Sequence, residues 1–386
     1  MRALPGELVP LVLAPLAWRR SDLARCCLVC RWWYSHAAPL LYERLWLRDQ
    51  TRLVRVFASL DASPALARWL RIVELRVFPF GMPAERLEKL ETQIVHALQH
   101  APHLRSLAWT RTGSLSDRVL PSIFPAMTCL ERLELTGDTL TWSPDVLVRY
   151  MPRTIKDLAF VLPDRTLASH LVALVACLDG RLQRLSLVCM NSSVITDALL
   201  EDMAPHAPRL VALSLVGCKQ VHGRGVQALV SPALRELALE NVAITPDELV
   251  ALAPRMERLT RLTVTTPRRA HDTPAFFETL AHLVAMCSDV QYLAVYAPGG
   301  RTPAVPSEAP HAAPRTPTIH LPSNVLASVS PSLRHLFLHH VSVPLAQLEA
   351  LAVRVPHLHE LDVYLLEATT ESVQRLVRAF PALRRL

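Results

Sequence analysis

One pattern, apolar-x-x-apolar-x-apolar, constrains what this chain can fold into more than any other feature of it. It occurs in full as Leu70/Val73/Leu75, Leu104/Leu107/Trp109, Leu130/Leu133/Leu135, Ile155/Leu158/Phe160, Leu182/Leu185/Leu187 and Leu210/Leu213/Leu215. It continues as Leu234/Leu237/Leu239, Leu259/Leu262/Val264, Val290/Leu293/Val295, Leu333/Leu336/Leu338 and Leu358/Leu361/Val363, and starts again at Leu383/Leu386. Successive starts lie 34, 26, 25, 27, 28, 24, 25, 31, 43, 25 and 25 residues apart, and random leucine placement does not put eight of eleven intervals between 24 and 28. A period of that length marks a repeat architecture.

Within a unit the last four positions of the pattern alternate inward and outward, as a short half-buried strand requires. A turn follows, and then helical spacing. Leu249, Leu252 and Ala253 come after Thr245-Pro246-Asp247-Glu248, where Thr245 can cap a helix, Pro246 suits its first turn and Glu248 can complete a capping box. A strand–helix unit of this size cannot bury its apolar face alone, so neighbouring units must stack. The predicted fold is therefore α/β: a curved solenoid over 70–386 with parallel strands on its concave side and helices on its convex side. These repeats resemble the leucine-rich-repeat family over about 315 residues. Leu213-Ser-Leu-Val-Gly-Cys218 and Ile195-Thr-Asp197 are similar to its cysteine-containing subclass.

The chain has 31 prolines and only 10 glycines, the inverse of average usage. Pro102, Pro208, Pro232, Pro331, Pro356 and Pro381 each stand two residues before the first leucine or valine of a strand pattern, where proline stops a helix and favours extended backbone. Residues 298–322 hold seven more, with Gly299-Gly300 and few large apolar residues, and are predicted to be a mobile inserted loop. Thr302-Pro303 and Thr316-Pro317 within it have the form of proline-directed phosphorylation sites. The scarce glycines include no G-x-G-x-x-G, G-x-x-x-x-G-K or G-x-S-x-G, which argues against phosphate-cradling loops and nucleophile elbows.

Lys+Arg 41 against Asp+Glu 34 gives +7, and Lys89, Lys156 and Lys219 are the only lysines. Arginines such as Arg132, Arg184, Arg235 and Arg261 are spread along the repeats rather than concentrated, so the expectation is solvated faces and no nucleic-acid partner. The eight cysteines sit mostly singly in apolar stretches and read as buried free thiols of a reducing compartment. Cys27-Leu-Val-Cys30 lacks both a second ligand pair for zinc and a thioredoxin-like βαβ context, so no metal or cofactor is expected. No apolar run reaches the length of a membrane span. Leu8 to Trp18 is interrupted by Pro10 and Pro15 and followed by Arg19-Arg20, unlike a secretory signal. The reading is a cytoplasmic or nuclear protein with no membrane partner. The final pattern at Leu383/Leu386 leaves a twelfth unit at its first strand residues, with no C-terminal cap visible.

Residues 1–47 do not fit the repeat. Leu4-Pro5 opens an apolar-periodic stretch through Leu8, Leu11 and Val12, inside which Pro10 removes a hydrogen bond at about 3 kcal/mol. Ser21 is placed to cap a second helix carrying Leu23, Cys26, Cys27, Cys30 and Trp33 on one stripe. A third helix is predicted after Pro39, with Leu40, Leu41 and Leu45. Residues 48–69 are expected to be a helical linker capping the first repeat. Three short helices this rich in large apolar groups are usually completed by a partner or a neighbouring domain.

Leu4-Pro-x-Glu-Leu8, then Asp22-Leu23, then Val29-Cys-Arg-Trp-Trp33 resembles the F-box motif, and Pro39-Leu-Leu-Tyr42 with Leu45-Trp-Leu47 is similar to F-box proteins of fungal type. The resemblance implies docking on the Skp-type adaptor, and through it a cullin, of an SCF ubiquitin ligase. The adaptor-facing set it implies is Leu4, Pro5, Leu8, Leu11, Leu16, Leu23, Val29, Cys30 and Trp33.

In a solenoid of this kind the outward strand residues line the concave surface. Central repeats present Ala159 and Val161, Ser186 and Val188, and Ser214 and Val216 there. The last repeats present Tyr292, Tyr296, His335, Phe337, His339, Glu360, Asp362 and Tyr364. Tyrosine combines apolar area with a hydrogen-bonding tip, so this set is the candidate client-binding face. His357, His359 and Glu360, and His339 with His340, look like metal ligands, but adjacent strand residues point to opposite faces. There is no H-E-x-x-H, and nothing places a Ser/His/Asp set. The function expected is that of a non-catalytic substrate receptor of a ubiquitin ligase, with an unknown client protein. The alternative is a scaffold whose N-terminal helices only cap the solenoid.

Overall fold

The computed structural model describes residues 6–79, 81–297, 319–366 and 369–386. It divides into two compact units, Met1–Leu182 and Gln183–Leu386. Leu4 and Pro5 lie outside the described residues, as do 298–318, including Thr302 and Thr316.

The first unit holds β1 (Arg44–Leu47), β2 (Ile72–Leu75), β3 (Ser106–Trp109), β4 (Arg132–Thr136) and β5 (Asp157–Val161). All pair in parallel in chain order. The second holds β6 (Arg184–Thr196), β7 (Ala212–Gln220), β8 (Glu236–Glu240), β9 (Arg261–Thr265), β10 (Tyr292–Tyr296), β11 (Ile319–His320), β12 (His335–Val343) and β13 (Glu360–Leu365). These too are parallel, with β12 paired to β10, β11 and β13. A helix follows almost every strand, so each unit is a run of leucine-rich strand–helix repeats. Each of the eleven full sequence patterns carries a strand, and their inward residues form the core. Leu107, Leu133, Leu158, Leu187, Leu215 and Leu262 are all fully buried.

The prolines act through one repeated turn. The strand-leading Leu104, Leu210, Leu234, Leu333, Leu358 and Leu383 each donate their N–H to the carbonyl three residues back, at Ala101, Ala207, Ser231, Ser330, Val355 and Phe380. The intervening proline occupies the second position of that turn, where its fixed φ is already correct. The expected capping box is present: Thr245 Oγ1 accepts from Glu248 N, and Glu248 Oε2 accepts from Thr245 N at 2.8 Å. Hydrogen bonds also step from one repeat to the next. Thr154 Oγ1 donates to Leu130 O, Thr260 Oγ1 to Arg235 O, and Asp197 Oδ1 accepts from His222 N and Gly225 N. Cys189 and Cys218 stack between β6 and β7 with their Sγ atoms 3.6 Å apart. A Cβ at Gly217, whose φ is +67, would collide with the Cys189 carbonyl.

Several expectations are corrected. The sheet begins in the N-terminal segment, because Leu45 and Leu47 are inward residues of β1 rather than part of a third helix. Pro39 lies inside the helix Arg31–Glu43 instead of opening it. Ser21 is an internal residue of the helix Arg20–Cys27, whose N-cap is Arg19. The stripe from Leu23 to Trp33 is thus divided between two helices. Pro10 stands in the first turn of the helix Val9–Leu13, where a missing N–H costs nothing. The end of the inserted segment is ordered as β11, opposite Val341 and Ser342. Cys189, Cys218 and Cys287 are buried as expected, but Cys30 and Cys129 are exposed.

Candidate functional site

Two surfaces carry the residues singled out by sequence. The N-terminal helices build a small core of their own from Val9, Leu13, Leu23 and Ala37, flanked by Leu16, Cys26, Cys27, Trp33, Leu40 and Leu41. Arg20 ties it together, its Nη1 donating to the carbonyls of Leu40 (2.8 Å) and Leu41 (2.9 Å) at the end of the helix Arg31–Glu43. A cation suits that negative helix end.

This core sorts the implied adaptor-facing residues. Leu23 is fully buried and holds the helices together, so it does not face outward. Leu16 and Trp33 pack against the core with part of their surface free. Leu8, Leu11, Val29 and Cys30 are exposed, the three apolar ones by 43%, 69% and 63%. Sequence reasoning missed Val12, Trp18, Leu28, Trp32, Tyr34 and Trp46, which are also exposed. Leu28 follows directly on the helix Arg20–Cys27, and its adjacency to Val29 was the available signal. Trp18 and Trp46 lie 6.0 Å apart with the Arg44 guanidinium 5.4 Å above the Trp18 ring.

The second surface is the outward face of β8 to β13. The parallel register lines up Glu236, Arg261, Tyr292, His335 and Glu360 in one row. Ala238, Thr263, Ala294, Phe337 and Asp362 form the next, and Thr265, Tyr296 and His339 lie in a third. The aromatic rings meet across strands: Tyr292 to Phe337 at 5.2 Å, Tyr296 stacked on His339 at 4.7 Å, and Phe337 to His339 at 6.3 Å. His335 Nδ1 lies 3.3 Å from Glu360, and His339 Nδ1 lies 4.0 Å from Asp362. Seven of the eight predicted client-facing residues are thus brought together. Tyr364 is not, because the register of β13 shifts between Leu338 and Ser342, and Tyr364 pairs with Ser342 instead of His339. The shift coincides with a left-handed residue, His340, at φ 57, so simple alternation does not describe His339 and His340.

Two further residues belong to this face. Arg261 holds its guanidinium 4.2 Å over the Tyr292 ring. Glu240, at the end of β8, is half-buried, and burial pushes its carboxyl above the ordinary range. Burial pushes the Tyr296 hydroxyl up to about 12, with the Tyr292 hydroxyl and then the charges of Glu240 and Asp362 adding to it. Glu236 goes the other way: the Arg184 guanidinium, at 2.6 Å, holds its carboxyl low against the cost of burial. Both acids were legible as outward by alternation from Leu237 and Leu239.

The outward face of the first unit carries internal ion pairs. Arg76 bonds both Glu74 (3.0 Å) and Glu134 (3.0 Å), while Arg132 meets Asp157 at 3.5 Å. Among the described residues no group of three or more His, Cys, Asp or Glu side chains is arranged to hold a metal ion, and no helix is long and apolar enough to cross a membrane.

A scan of protein families and a search of curated proteins by sequence give no match. Among solved structures, the chain is similar to the yeast protein Rad7 in its complex with Elc1, at 14% identity and TM-score 0.47 over 99% of this chain and 92% of that one. It is also similar to the leucine-rich repeat-containing protein LegL7 of Legionella pneumophila, at 16% identity and TM-score 0.41 over 79% and 87%. An internalin, InlF, of Listeria monocytogenes follows at 14% and 0.38 over 83% and 81%. At TM-scores below 0.5 these likenesses add nothing to the repeat geometry already described.

Proposed function

We propose that the chain is the substrate-recognition subunit of an SCF-type ubiquitin ligase, its N-terminal helices docking on a Skp-type adaptor and its repeats binding a client protein. One observation carries the adaptor half. Leu8, Leu11, Val12, Trp18, Leu28, Val29, Trp32, Tyr34 and Trp46 are nine of the nineteen large apolar side chains exposed among the described residues, and all lie within a span of 39. A segment that only capped the solenoid would turn such groups onto the first repeat, whereas this one has its own core and turns them outward. Their position within the F-box-like stretch supports the adaptor as the partner. The aromatic outward face of β10 and β12 supports a client site, since tyrosine-rich patches concentrate binding energy.

Co-purification of the full chain with a purified Skp-type adaptor tests this reading. The expected result is a stable complex that Leu11→Ala with Leu28→Ala weakens by about 100-fold or more without loss of helicity. A chain that does not bind the adaptor, or binds it equally well with both substitutions, would favour the scaffold reading.

A further inference from the structure

The client face has two unlike ends. At one end the chain supplies its own cation, the Arg261 guanidinium lying over Tyr292, with Glu236 and Arg184 paired beside it. At the other end Tyr296, Phe337 and His339 form a continuous stacked surface. Asp362 lies beside this surface, its carboxylate 4.0 Å from His339 Nδ1, and Glu240 ends β8, separated from Tyr296 on β10 by the strand β9. Burial raises the Glu240 carboxyl above its ordinary range. Thr265 Oγ1, on the strand between Glu240 and Tyr296, is buried without a hydrogen-bond partner among them. Glu240 is half-buried and Asp362 is exposed, and an aromatic surface beside two carboxylates favours a cation.

We propose that the Tyr296–Phe337–His339 end of this face takes a basic side chain, arginine or lysine, presented by the client. The proposal rests on the reading of this face as the client site and adds the chemistry of what enters it. Arg261 over Tyr292 is the internal precedent: the same sheet face already accommodates a guanidinium stacked on a tyrosine of β10. An acidic or phosphorylated segment would meet Glu240, Glu360 and Asp362 as like charges, and a purely apolar one would leave Glu240 buried with no compensating charge.

The test uses the full chain and a phage-displayed library of random short peptides, selected in parallel on the wild type and on Tyr296→Ala/Phe337→Ala. Peptides retained by the wild type alone should share an arginine or lysine. Replacing that arginine by citrulline, its neutral isostere, or that lysine by acetyl-lysine, should weaken binding by about ten-fold. The conservative Glu240→Gln/Asp362→Asn chain, checked for unchanged helicity, should show a comparable loss and little further response to the neutral residue. Face-dependent peptides without a basic residue, or basic ones indifferent to the neutral replacement and to Glu240→Gln/Asp362→Asn, would overturn the cation assignment and leave the client face standing. If no peptide distinguishes the wild type from Tyr296→Ala/Phe337→Ala, both fail.

Discussion

The N-terminal helices and the repeat array use the same apolar residues to opposite ends. In the repeats a leucine is inward by its place in the pattern: Leu213, Leu237 and Leu262 are at most 2% exposed. In the first helices Leu13 and Leu23 are fully buried, while Leu11 and Leu28 are 69% and 86% exposed. An array gains a neighbour for every strand and can therefore bury the inward leucines of its pattern. Three short helices enclose room for only a few side chains, and the remainder is left for something else to cover. The same composition thus means stability in one region and attachment in the other.

That contrast has a direct test in stability. Leu237→Ala, in the centre of the second unit, should cost about 2–5 kcal/mol in urea denaturation, because its neighbours on both adjacent strands cannot close the cavity. Leu28→Ala should change stability by less than about 0.5 kcal/mol. A loss for Leu28 approaching that for Leu237 would show that the N-terminal surface is structural after all. Arg20→Ala sharpens the contrast from the other side. Removing its two bonds to the Leu40 and Leu41 carbonyls should cost about 1–2 kcal/mol, confined to residues 9–43 in amide exchange and absent from the repeats.

The smallest effect concerns Glu240. Burial raises its carboxyl pKa in the folded chain, so the folded state binds that proton more tightly than the unfolded state does. The resulting penalty is present above the raised pKa and vanishes below the ordinary glutamate value of about 4.3. Glu240→Gln should therefore raise the Tm modestly at pH 7 and make no difference at pH below about 4. A lower Tm at pH 7 would mean that the carboxylate is satisfied in the fold, and the outward face would then resemble the ion-paired face of the first unit.

The repeats were legible because alternation and period reinforce one another, so each strand was marked twice over. The strand β1 was not, since Arg44-Leu-Trp-Leu47 follows directly on the helical Leu40-Leu41 and is too short to show its own period. The two-residue β11 has no pattern at all, and its pairing with Val341 and Ser342 is purely tertiary. The aromatic face followed from alternation alone up to Phe337 and His339. Tyr364 escaped because the left-handed backbone at His340 shifts the register, and a histidine gives no warning of positive φ. In the N-terminal segment Pro10 and Pro15 divide the chain into short α and 3-10 turns. Within the five-residue helix Val9–Leu13 the i and i+4 residues Val9 and Leu13 are buried while Leu11 and Val12 are exposed, but a helix this short shows no period of its own in the sequence.

Tyr292 and His335 are 43 positions apart along the chain, whereas His335 and Glu360 are 25 apart, yet all three occupy one row of the sheet. Position on this surface is therefore an address of strand and row, indifferent to how much polypeptide runs between the strands. Return segments can lengthen or diverge without disturbing the spacing of the groups displayed. Such a surface can keep its specificity while its sequence between strands drifts.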